Sequence, residues 1–433
     1  MAGLSALTVV TNAQIFADPC ESLSAYTVVQ NPDASAEVVN YGSFTLNDSL
    51  GNPVSISIPE APRPISGGGA TTGIMLRANK NDLVAGTQGI NLILSASGTP
   101  IEVSTKYYKL SLDCYMKCDA PTGVGTTEAF NAGVSRLGSA GPFGYYNRST
   151  AGDGNWITYV GDGGINGTDM RNYRGTTQLG GLDVSNPICQ SVFSAVNGYE
   201  FIGAPSGNWS RVDLIVNNGV IYWRMNGTPM LSGSSILSTD GKVWFGYDDP
   251  FGGVAGAPEK QYAIVDNVVV TELPKFTGTL AVSGYAGDIT TETFTAQIFD
   301  SAGVLTDSLP FKVDASGNFE FGTTIPASGS VVIVGDSTLN RWMQSVTPTV
   351  SGTSLGNVNL LNGNINGDAV IDIGDYTILA AKFDASSSDP DWNTAGGDGF
   401  KPSQADITGD GVVDIADYTQ IAANFDAASE YIP

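Results

Sequence analysis

The sequence contains no histidine and few charged residues. Only 14% of its 433 residues are Asp, Glu, Lys or Arg. The absence of histidine removes the commonest general base and the commonest zinc or iron ligand, so any chemistry must use carboxylates, hydroxyls or cysteine. No apolar run reaches the roughly 18 residues that a membrane-spanning helix needs. The sequence therefore predicts neither a histidine-based enzyme nor a membrane-spanning protein.

Basic residues are also scarce. The chain has 19 Lys and Arg against 43 Asp and Glu, which gives a formal net charge of −24. A polyanion of this kind repels phosphate, which excludes nucleic acid as a partner. Clustered Asp favours a hard cation such as Ca²⁺, which prefers oxygen ligands.

Glycine is abundant, with 54 residues, and apolar residues are at an ordinary 42%. This composition is typical of a globular, mainly β protein with many turns, and the length allows several domains.

The first 13 residues resemble the end of a secretory signal. They are mildly apolar and finish on small residues at Thr11 and Ala13. A basic segment is missing, so the alternative is an ordinary first strand. The prediction is a signal peptide remnant over residues 1–13 and a secreted, extracellular or cell-surface protein.

The four cysteines are Cys20, Cys114, Cys118 and Cys189. Outside the cell an even number permits two disulfides, with three connectivities. Cys114 and Cys118 share one face of a strand but lie about 13 Å apart at ~3.3 Å per residue, too far for a direct bridge.

Strand-like segments recur between Gly, Asn and Asp turns over residues 14–272. Asn217, Asn218 and Gly219 between two such runs predict a hairpin, and Asn226-Gly227 predicts a turn directly after it. The order of segments 209–216, 220–227 and 263–270 resembles the laminin-G/concanavalin-like jelly roll of secreted bacterial surface proteins. The resemblance implies an N-terminal jelly-roll sandwich.

Short alternating segments continue over residues 273–361. Their spacing predicts a second, small β-sandwich. It resembles the immunoglobulin-like or prealbumin-like spacers that precede dockerins, and the resemblance implies a spacer role.

An internal repeat occupies the last segment, residues 362–433. Residues 364–375 have the sequence NINGDAVIDIGD, and residues 406–417 have DITGDGVVDIAD. Both match an EF-hand loop, in which oxygen side chains at positions 1, 3, 5, 9 and 12 and the carbonyl of position 7 surround one Ca²⁺. The predicted ligands of two sites are Asn364, Asn366, Asp368, Val370, Asp372 and Asp375 in loop one, and Asp406, Thr408, Asp410, Val412, Asp414 and Asp417 in loop two.

Each loop is followed by an apolar stripe at helical spacing. The stripes are Ile373, Tyr376, Leu379, Ala380 and Phe383, and Ile415, Tyr418, Ile421, Ala422 and Phe425. Aliphatic Ile371 and Val413 at loop position 8 are expected to pack the two loops together. Two loop–helix units without entering helices resemble a type I dockerin, which implies an α-helical, paired EF-hand-like module and a cohesin-like partner.

The module departs from that pattern at several positions. Loop one has Asn364 at position 1 and Ala369 at position 6, where Gly normally supplies an unusual backbone angle, so it should be the weaker site. Positions 10 and 11 are Ile373-Gly374 and Ile415-Ala416, not the Ser and Thr residues of dockerins that bind cohesins. The insert at residues 384–404 is long; it could dock on the module or add a ligand, and a solvated loop is the default.

Candidates for other sites lie in the predicted jelly roll. Asp153, Asp162, Asn166 and Asp169, or Asp248 and Asp249, could hold a further Ca²⁺. Tyr145, Tyr146, Trp156 and Tyr173 could stack on a glycan, although Asp-Gly runs are usually turns and strand aromatics are usually core. The paired carboxylates of concanavalin-type glycosidases have no matching motif here.

The sequence thus predicts a secreted, non-catalytic surface or extracellular-matrix protein. A calcium-stabilised dockerin-like module would attach it to a cohesin-like or other surface protein, or to copies of itself. One alternative is a carbohydrate-binding component of a cellulosome-like, polysaccharide-degrading assembly; another is a divergent glycoside hydrolase.

Overall fold

A computed structural model describes residues 13–431, apart from residues 66, 81–85, 119–127, 136–153, 162–168, 195–201, 235–240, 250–256 and 326. The predicted signal remnant, up to Asn12, lies outside the described residues. The chain divides into two compact units, one covering Ala13–Glu272 and the other containing Leu273–Pro433. The helices of the described ranges are too short and too polar to traverse a bilayer.

The first unit is a sandwich of two β-sheets. One sheet has the strand order β17-β16-β15-β10-β19-β6-β3 with β1 beside β19, and the other has β14-β13-β12-β11-β18-β7-β2 with β8 and β9 at its margins. A small hairpin of β4 and β5 and a short helix, α1 (Pro187–Val192), accompany them. The strands are β1 (Gln14–Asp18), β2 (Tyr26–Gln30), β3 (Ser35–Asn40), β4 (Phe44–Asn47), β5 (Pro53–Ile56), β6 (Thr72–Arg77), β7 (Gln88–Ala96), β8 (Thr99–Pro100), β9 (Glu102–Val103), β10 (Tyr107–Cys118), β11 (Ala129–Ser135), β12 (Asn155–Val160), β13 (Met170–Arg174), β14 (Thr177–Leu182), β15 (Trp209–Asn217), β16 (Val220–Met225), β17 (Thr228–Ser234), β18 (Gly241–Asp249) and β19 (Gln261–Glu272).

The core of this unit lies between the two sheets. One cluster joins Leu110 and Val212 of the first sheet to Phe130 and Phe245 of the second. Tyr159 and Trp223 stack across the interface with ring centroids 5.7 Å apart. The prediction of a mainly β, two-sheet sandwich is therefore confirmed.

Both predicted hairpin turns are present. Asn218 and Gly219 have φ of 44° and 89°, and Asn226 and Gly227 have φ of 51° and 85°. Positive φ at both central residues is the geometry of a type I′ turn, whose twist matches that of the flanking strands. The turns pair β15 with β16 and β16 with β17 in antiparallel fashion.

The two disulfides that an even number of cysteines permits are not formed. All four cysteines are free and buried. Cys114 and Cys118 lie on the single strand β10, as the spacing indicated. Cys189 contacts the Met170 sulfur at 3.7 Å, and the Cys118 thiol donates to the carboxylate of Glu128 at 2.7 Å. These thiols act as small core side chains.

The second unit begins with a small sandwich. A three-stranded sheet has the order β23-β20-β26, and a four-stranded sheet has the order β22-β21-β24-β25. β20 and β26 run parallel. Phe311 of one sheet packs against Phe319 and Phe321 of the other, each at 5.2 Å between ring centroids. The strands are β20 (Lys275–Val282), β21 (Phe294–Phe299), β22 (Leu305–Phe311), β23 (Asn318–Gly322), β24 (Gly329–Val334), β25 (Arg341–Val346) and β26 (Thr353–Leu360).

Three helices follow within the same unit: α2 (Ile373–Lys382), α3 (Pro402–Ala405) and α4 (Ile415–Asn424). Their shared core contains Ile371, Leu379, Val413 and Ile421, and it also contains Leu339 of the small sandwich. The C-terminal tail returns to that sandwich, where Tyr431 packs on Phe299 and Trp342 and Glu430 pairs with Arg341. The sandwich and the helical repeats thus share one core.

Candidate functional site

Each predicted calcium loop leads directly into a helix. Asp372 at position 9 of loop one is the N-cap of α2, and Asp414 holds the same place before α4. Their carboxylates accept the backbone N–H groups of Gly374 and Ala416, each at 2.6 Å. A carboxylate in this place satisfies a free N–H of the first turn and lies at the positive end of the helix dipole.

The position-12 carboxylates close both loops. Asp375 accepts the N–H of Asp372 at 2.9 Å and that of Asn366 at 3.1 Å. Asp417 accepts the N–H of Asp414 at 2.8 Å and that of Thr408 at 2.9 Å. Both side chains are fully buried. Position 12 therefore ties position 3 to the start of the helix in each repeat.

The residues at position 8 join the two repeats. Ile371 exchanges backbone hydrogen bonds with Asp426 and Ala427, which follow α4, each at 2.9 Å. Val413 does the same with Asp384 and Ala385, which follow α2, at 2.9 and 2.8 Å. Ile371 and Val413 are both buried in the shared core. Each loop thus pairs with the segment that follows the helix of the other repeat.

The two loops differ in their hydrogen bonding at position 1. The Asp406 carboxylate accepts the N–H groups of Gly409 and Gly411 at 2.9 Å and that of Asp410 at 3.2 Å. Asn364 has Nδ2 directed to the Thr338 carbonyl at 3.5 Å, and its buried Oδ1 has no hydrogen-bond partner. An unpaired buried oxygen costs roughly 1–3 kcal/mol, a cost that a cation or a hydrogen-bond donor bound at this atom would remove.

Position 6 is the second difference. Ala369 and Gly411 both adopt the left-handed conformation, with φ of 76° and 89°. Glycine reaches this region without a steric penalty, whereas an alanine in it costs roughly 1 kcal/mol. The departure that the sequence indicated at Ala369 is therefore real backbone strain.

The loop side chains supply carboxylate, amide and hydroxyl oxygens, the ligand type that a hard cation prefers. In the described part of the chain, no group of three or more Asp, Glu or Cys side chains converges as a metal cluster. The loop carboxylates accept backbone N–H groups instead. Burial raises the pKa of Asp375 and of Asp417, and burial together with the neighbouring Asp417 and Asp410 raises that of Asp406. A bound Ca²⁺ would compensate the charge of the buried carboxylates and would give the Asn364 oxygen a partner.

The insert at residues 384–404 docks on the repeats, so the default expectation of a solvated loop is wrong. Trp392 and Phe400 pack against the shared core. Lys382 at the end of α2 pairs with Asp398 at 2.9 Å. The insert therefore contributes packing to repeat one.

The two apolar stripes are divided between the core and the surface. Leu379 and Ile421 are buried, whereas the other large members are exposed. Four of the exposed members, Tyr376, Phe383, Ile415 and Tyr418, line a groove of about 440 Å³ together with Leu379 and Ala380. We call this exposed set the helix face. Its exposed fractions agree in pairs: Ile373 63% and Ile415 64%, Tyr376 38% and Tyr418 41%, Phe383 45% and Phe425 47%.

Two of the glycan candidates in the first unit, Trp156 and Tyr173, are not surface groups. Trp156 and Tyr173 are buried and stack on each other with centroids 4.3 Å apart. The possibility that these two stack on sugars is therefore wrong, and the core position that is usual for strand aromatics is confirmed. Tyr145, Tyr146, Asp153, Asp162 and Asn166 lie outside the described residues.

The acidic candidates that the structure describes, Asp169, Asp248 and Asp249, are buried and hydrogen-bonded. Asp248 accepts the amide of Asn131 and Asp249 accepts that of Asn79, each at 2.7 Å. Asp169 is buried and accepts the N–H of Val184 at 3.3 Å. These bonds occupy oxygens that the sequence assigned to a further Ca²⁺, which stays a prediction.

One buried carboxylate pair escaped sequence reasoning. Asp113 of β10 lies opposite Asp266 of β19. Asp113 pairs with Arg211 at 3.4 Å and with Arg63 at 3.5 Å, and Asp266 accepts the hydroxyl of Tyr41 at 2.8 Å. Burial raises the pKa of Asp266 to about 6. The ion pairs identify a structural network, and a non-adjacent strand pairing carries no local sequence signal.

No protein-family model and no curated protein matches the chain. Among solved structures, it is similar to a type II cohesin-X-dockerin complex from Acetivibrio cellulolyticus, with 21% identity, 36% of this chain and 97% of that chain covered, and a TM-score of 0.29. It is also similar to the Emp46p carbohydrate recognition domain, with 11% identity, coverage of 60% and 95%, and a TM-score of 0.32. A third is the alginate lyase AlgAT5 of polysaccharide lyase family 7, with 13% identity, coverage of 53% and 93%, and a TM-score of 0.29. At these scores none of the likenesses bears on function.

Proposed function

We propose that residues 362–433 are a calcium-stabilised docking module of the dockerin type, carried by a secreted, non-catalytic protein. The observation that carries the proposal is the helix face. Two repeats with matching loop hydrogen bonds present the same three apolar side chains to solvent in matched pairs. Exposed apolar patches of this kind commonly mark protein–protein contact sites.

Calcium would hold the face in shape. α2 and α4 have ten residues each, too short to be stable alone in water. Each begins at a loop whose oxygens cluster, and residues 362–433 contain 13 acidic residues against two lysines. Carboxylates repel one another without a cation, so binding of Ca²⁺ would contribute directly to the folding free energy.

The partner we infer is a folded, cohesin-like surface protein with an apolar patch bordered by basic side chains. The acidic surroundings of the helix face favour such a patch by charge complementarity and disfavour a second copy of this chain. Position 10 of each loop, Ile373 and Ile415, is the most exposed member of each repeat's face. An apolar position 10 favours a partner that buries aliphatic groups over one that binds hydroxyls.

The rest of the chain supports a non-catalytic role. The sequence has no histidine, and the buried acids Asp113 and Asp248 serve ion-pair and amide contacts. The first unit would then be a structural or presenting domain. Hydrolysis of a β-glucan by the pure protein would contradict this assignment.

The test is a pull-down from the native envelope with and without EGTA, followed by rebinding of the identified partner as purified protein. Wild type should bind in calcium and lose the partner in EGTA. The double variant Tyr376→Ser/Tyr418→Ser should lose binding while keeping its calcium response. Leu305→Ser is the matched control, because Leu305 is 50% exposed on β22 and does not belong to the helix face. Equal binding by all three proteins would reject the helix face as the contact surface.

A further inference from the structure

A turn of the small sandwich contacts loop two directly. The turn at residues 283–292 lies in the segment that connects β20 to β21. The N–H groups of Ala286 and Gly287 in this turn donate to the carbonyl of Thr408 at 2.7 and 3.2 Å. Thr408 is position 3 of loop two. Its hydroxyl donates to the position-12 carboxylate of Asp417 at 2.9 Å. One residue of the loop therefore bonds both to the sandwich turn and to the carboxylate that closes the loop.

The contact is close enough to require glycine. A Cβ at Gly287 would collide with the carbonyl oxygen of Gly409, and a Cβ at Gly409 would collide with the ring of Tyr285. A Cβ at Gly284 would overlap the amide of Gln420 on α4. Three glycines thus allow the backbone of the turn to lie against loop two and its helix.

The turn is braced within the sandwich. The Tyr285 hydroxyl donates to Glu292 at 2.6 Å, and the Tyr285 N–H donates to the Val282 carbonyl at 3.2 Å. Lys312 donates to the Thr291 carbonyl at 2.9 Å. A turn fixed at both ends can hold the Thr408 carbonyl in one place.

Loop one lacks this support at position 3. Its contacts with the sandwich are made earlier, where the N–H groups of Gly363 and Asn364 donate to the Ser337 carbonyl at 2.9 and 3.0 Å. The sandwich therefore holds the beginning of loop one and the ligand-bearing middle of loop two.

We propose that the turn at residues 283–292 is a positioning element for the calcium site of loop two, so that calcium binding there and the order of the turn are coupled. The inference rests on the proposed calcium binding and adds to it a defined route into the sandwich. Coupling between two sites is reciprocal. A calcium ion that holds Thr408 slows opening of the turn, and displacement of the turn lowers the calcium affinity of loop two.

Hydrogen exchange of the full chain tests the first direction. The amides of Ala286 and Gly287 should exchange at least about tenfold faster in EGTA than in calcium, in the usual range of such couplings. The control amides are Gly303 and Gly317, which close sandwich turns on the Asp300 and Asp314 carbonyls at 3.0 and 2.8 Å. They should be unaffected. Equal acceleration of all four, or of none, would overturn the coupling.

A pair of glycine substitutions tests the other direction. Gly287→Ala should weaken calcium binding at loop two about tenfold, measured by calorimetry in an Asp375→Asn background that leaves loop two as the remaining site. Gly397→Ala is the matched control, because a Cβ there meets nothing within 4 Å. If wild type binds no calcium, the proposed function fails. If calcium binds equally to both variants and EGTA does not change the exchange rates of the turn amides, only the coupling fails.

Discussion

Repeat one (residues 364–383) and repeat two (residues 406–425) carry the same scaffold with different ligand chemistry. The hydrogen bonds at positions 5, 9 and 12 agree within about 0.2 Å: Val370 and Val412 donate to position 5 at 3.1 and 3.0 Å, and the caps agree likewise. Positions 1 and 6 differ. The loop shape is set by carboxylate-to-backbone bonds, whereas positions 1 and 6 would adjust how strongly the proposed Ca²⁺ is held in that shape.

The differences favour repeat two at every point. It has a charged position 1, an unstrained glycine at position 6 and a sandwich turn on Thr408. Repeat one has Asn364, Ala369 and support from the insert through Lys382 and Asp398. We expect loop two to bind calcium first and more tightly.

Removing calcium should produce the largest effect and affect both repeats. A site saturated at 1,000 times its Kd stabilises the fold by about 4 kcal/mol, so EGTA should make residues 362–433 protease-sensitive and reduce helicity. Limited proteolysis and circular dichroism measure this. The unit Ala13–Glu272 is the internal control and should keep its unfolding transition. Protease resistance and helicity that EGTA leaves unchanged would show that neither repeat binds calcium.

Truncating the position-12 side chain should destabilise repeat two more than repeat one. Asp417→Ala removes the acceptor of the Thr408 N–H and hydroxyl. In calcium-containing buffer we expect the free energy of unfolding to fall by about 4 kcal/mol. Asp375→Ala should cost about 3 kcal/mol, since its position-3 partner Asn366 donates a backbone N–H alone. Thermal unfolding at matched calcium compares the two. An equal or reversed order would show that repeat two is not the stronger site.

Restoring charge at position 1 should bring repeat one closer to repeat two. Asn364→Asp converts the orphaned oxygen into a carboxylate, so calcium affinity at loop one should rise about tenfold, or 1.4 kcal/mol. In EGTA the same variant should be less stable than wild type, because its buried charge then lacks a counterion. Calorimetry measures the calcium affinity, and melting temperatures with calcium and with EGTA show whether the variant is more or less stable than wild type in each. A stability gain in EGTA would contradict the ligand role.

Position 6 should give the smallest effect. Ala369→Gly relieves the left-handed strain and should stabilise the chain by up to about 1 kcal/mol, reduced by the entropy of glycine. Gly411→Ala is the mirror experiment; it should destabilise by a similar amount or more, because its Cβ would lie 2.9 Å from the Ser387 hydroxyl. Melting temperatures of both variants provide the measurement. Destabilisation by Ala369→Gly would mean that position 6 is not strained in solution.

Local patterns predicted the elements well. The turn residues Asn218 and Gly219 fixed a hairpin through their backbone angles, and the loop periodicity placed α2 and α4 directly after position 9. Ala369 was identified as a departure from the loop pattern and has the expected positive φ. These features depend on neighbours in the chain, which a sequence displays.

Long-range packing was beyond the sequence. The apolar stripes gave no indication that Leu379 would be buried while Tyr376 would stay on the surface, because both belong to one helical period. Trp156 and Tyr173 could have been sugar-stacking or core aromatics, because nothing local indicates which face of a sheet is covered; the structure stacks them on each other in the interior. The contact of Ala286 with Thr408 joins residues more than a hundred positions apart, and no motif records it.

The parallel pairing of β20 with β26 has a consequence in mechanical terms. The chain enters the small sandwich at the start of β20 and leaves it for the helical repeats at the end of β26. Tension between the first unit and a partner held at the helix face would pull these neighbouring strands in opposite directions along their length. The hydrogen bonds between them would then be loaded together in shear instead of opening one after another. If the proposed partner is held at the helix face, the small sandwich would thus carry the force between that partner and the first unit through bonds that must break together.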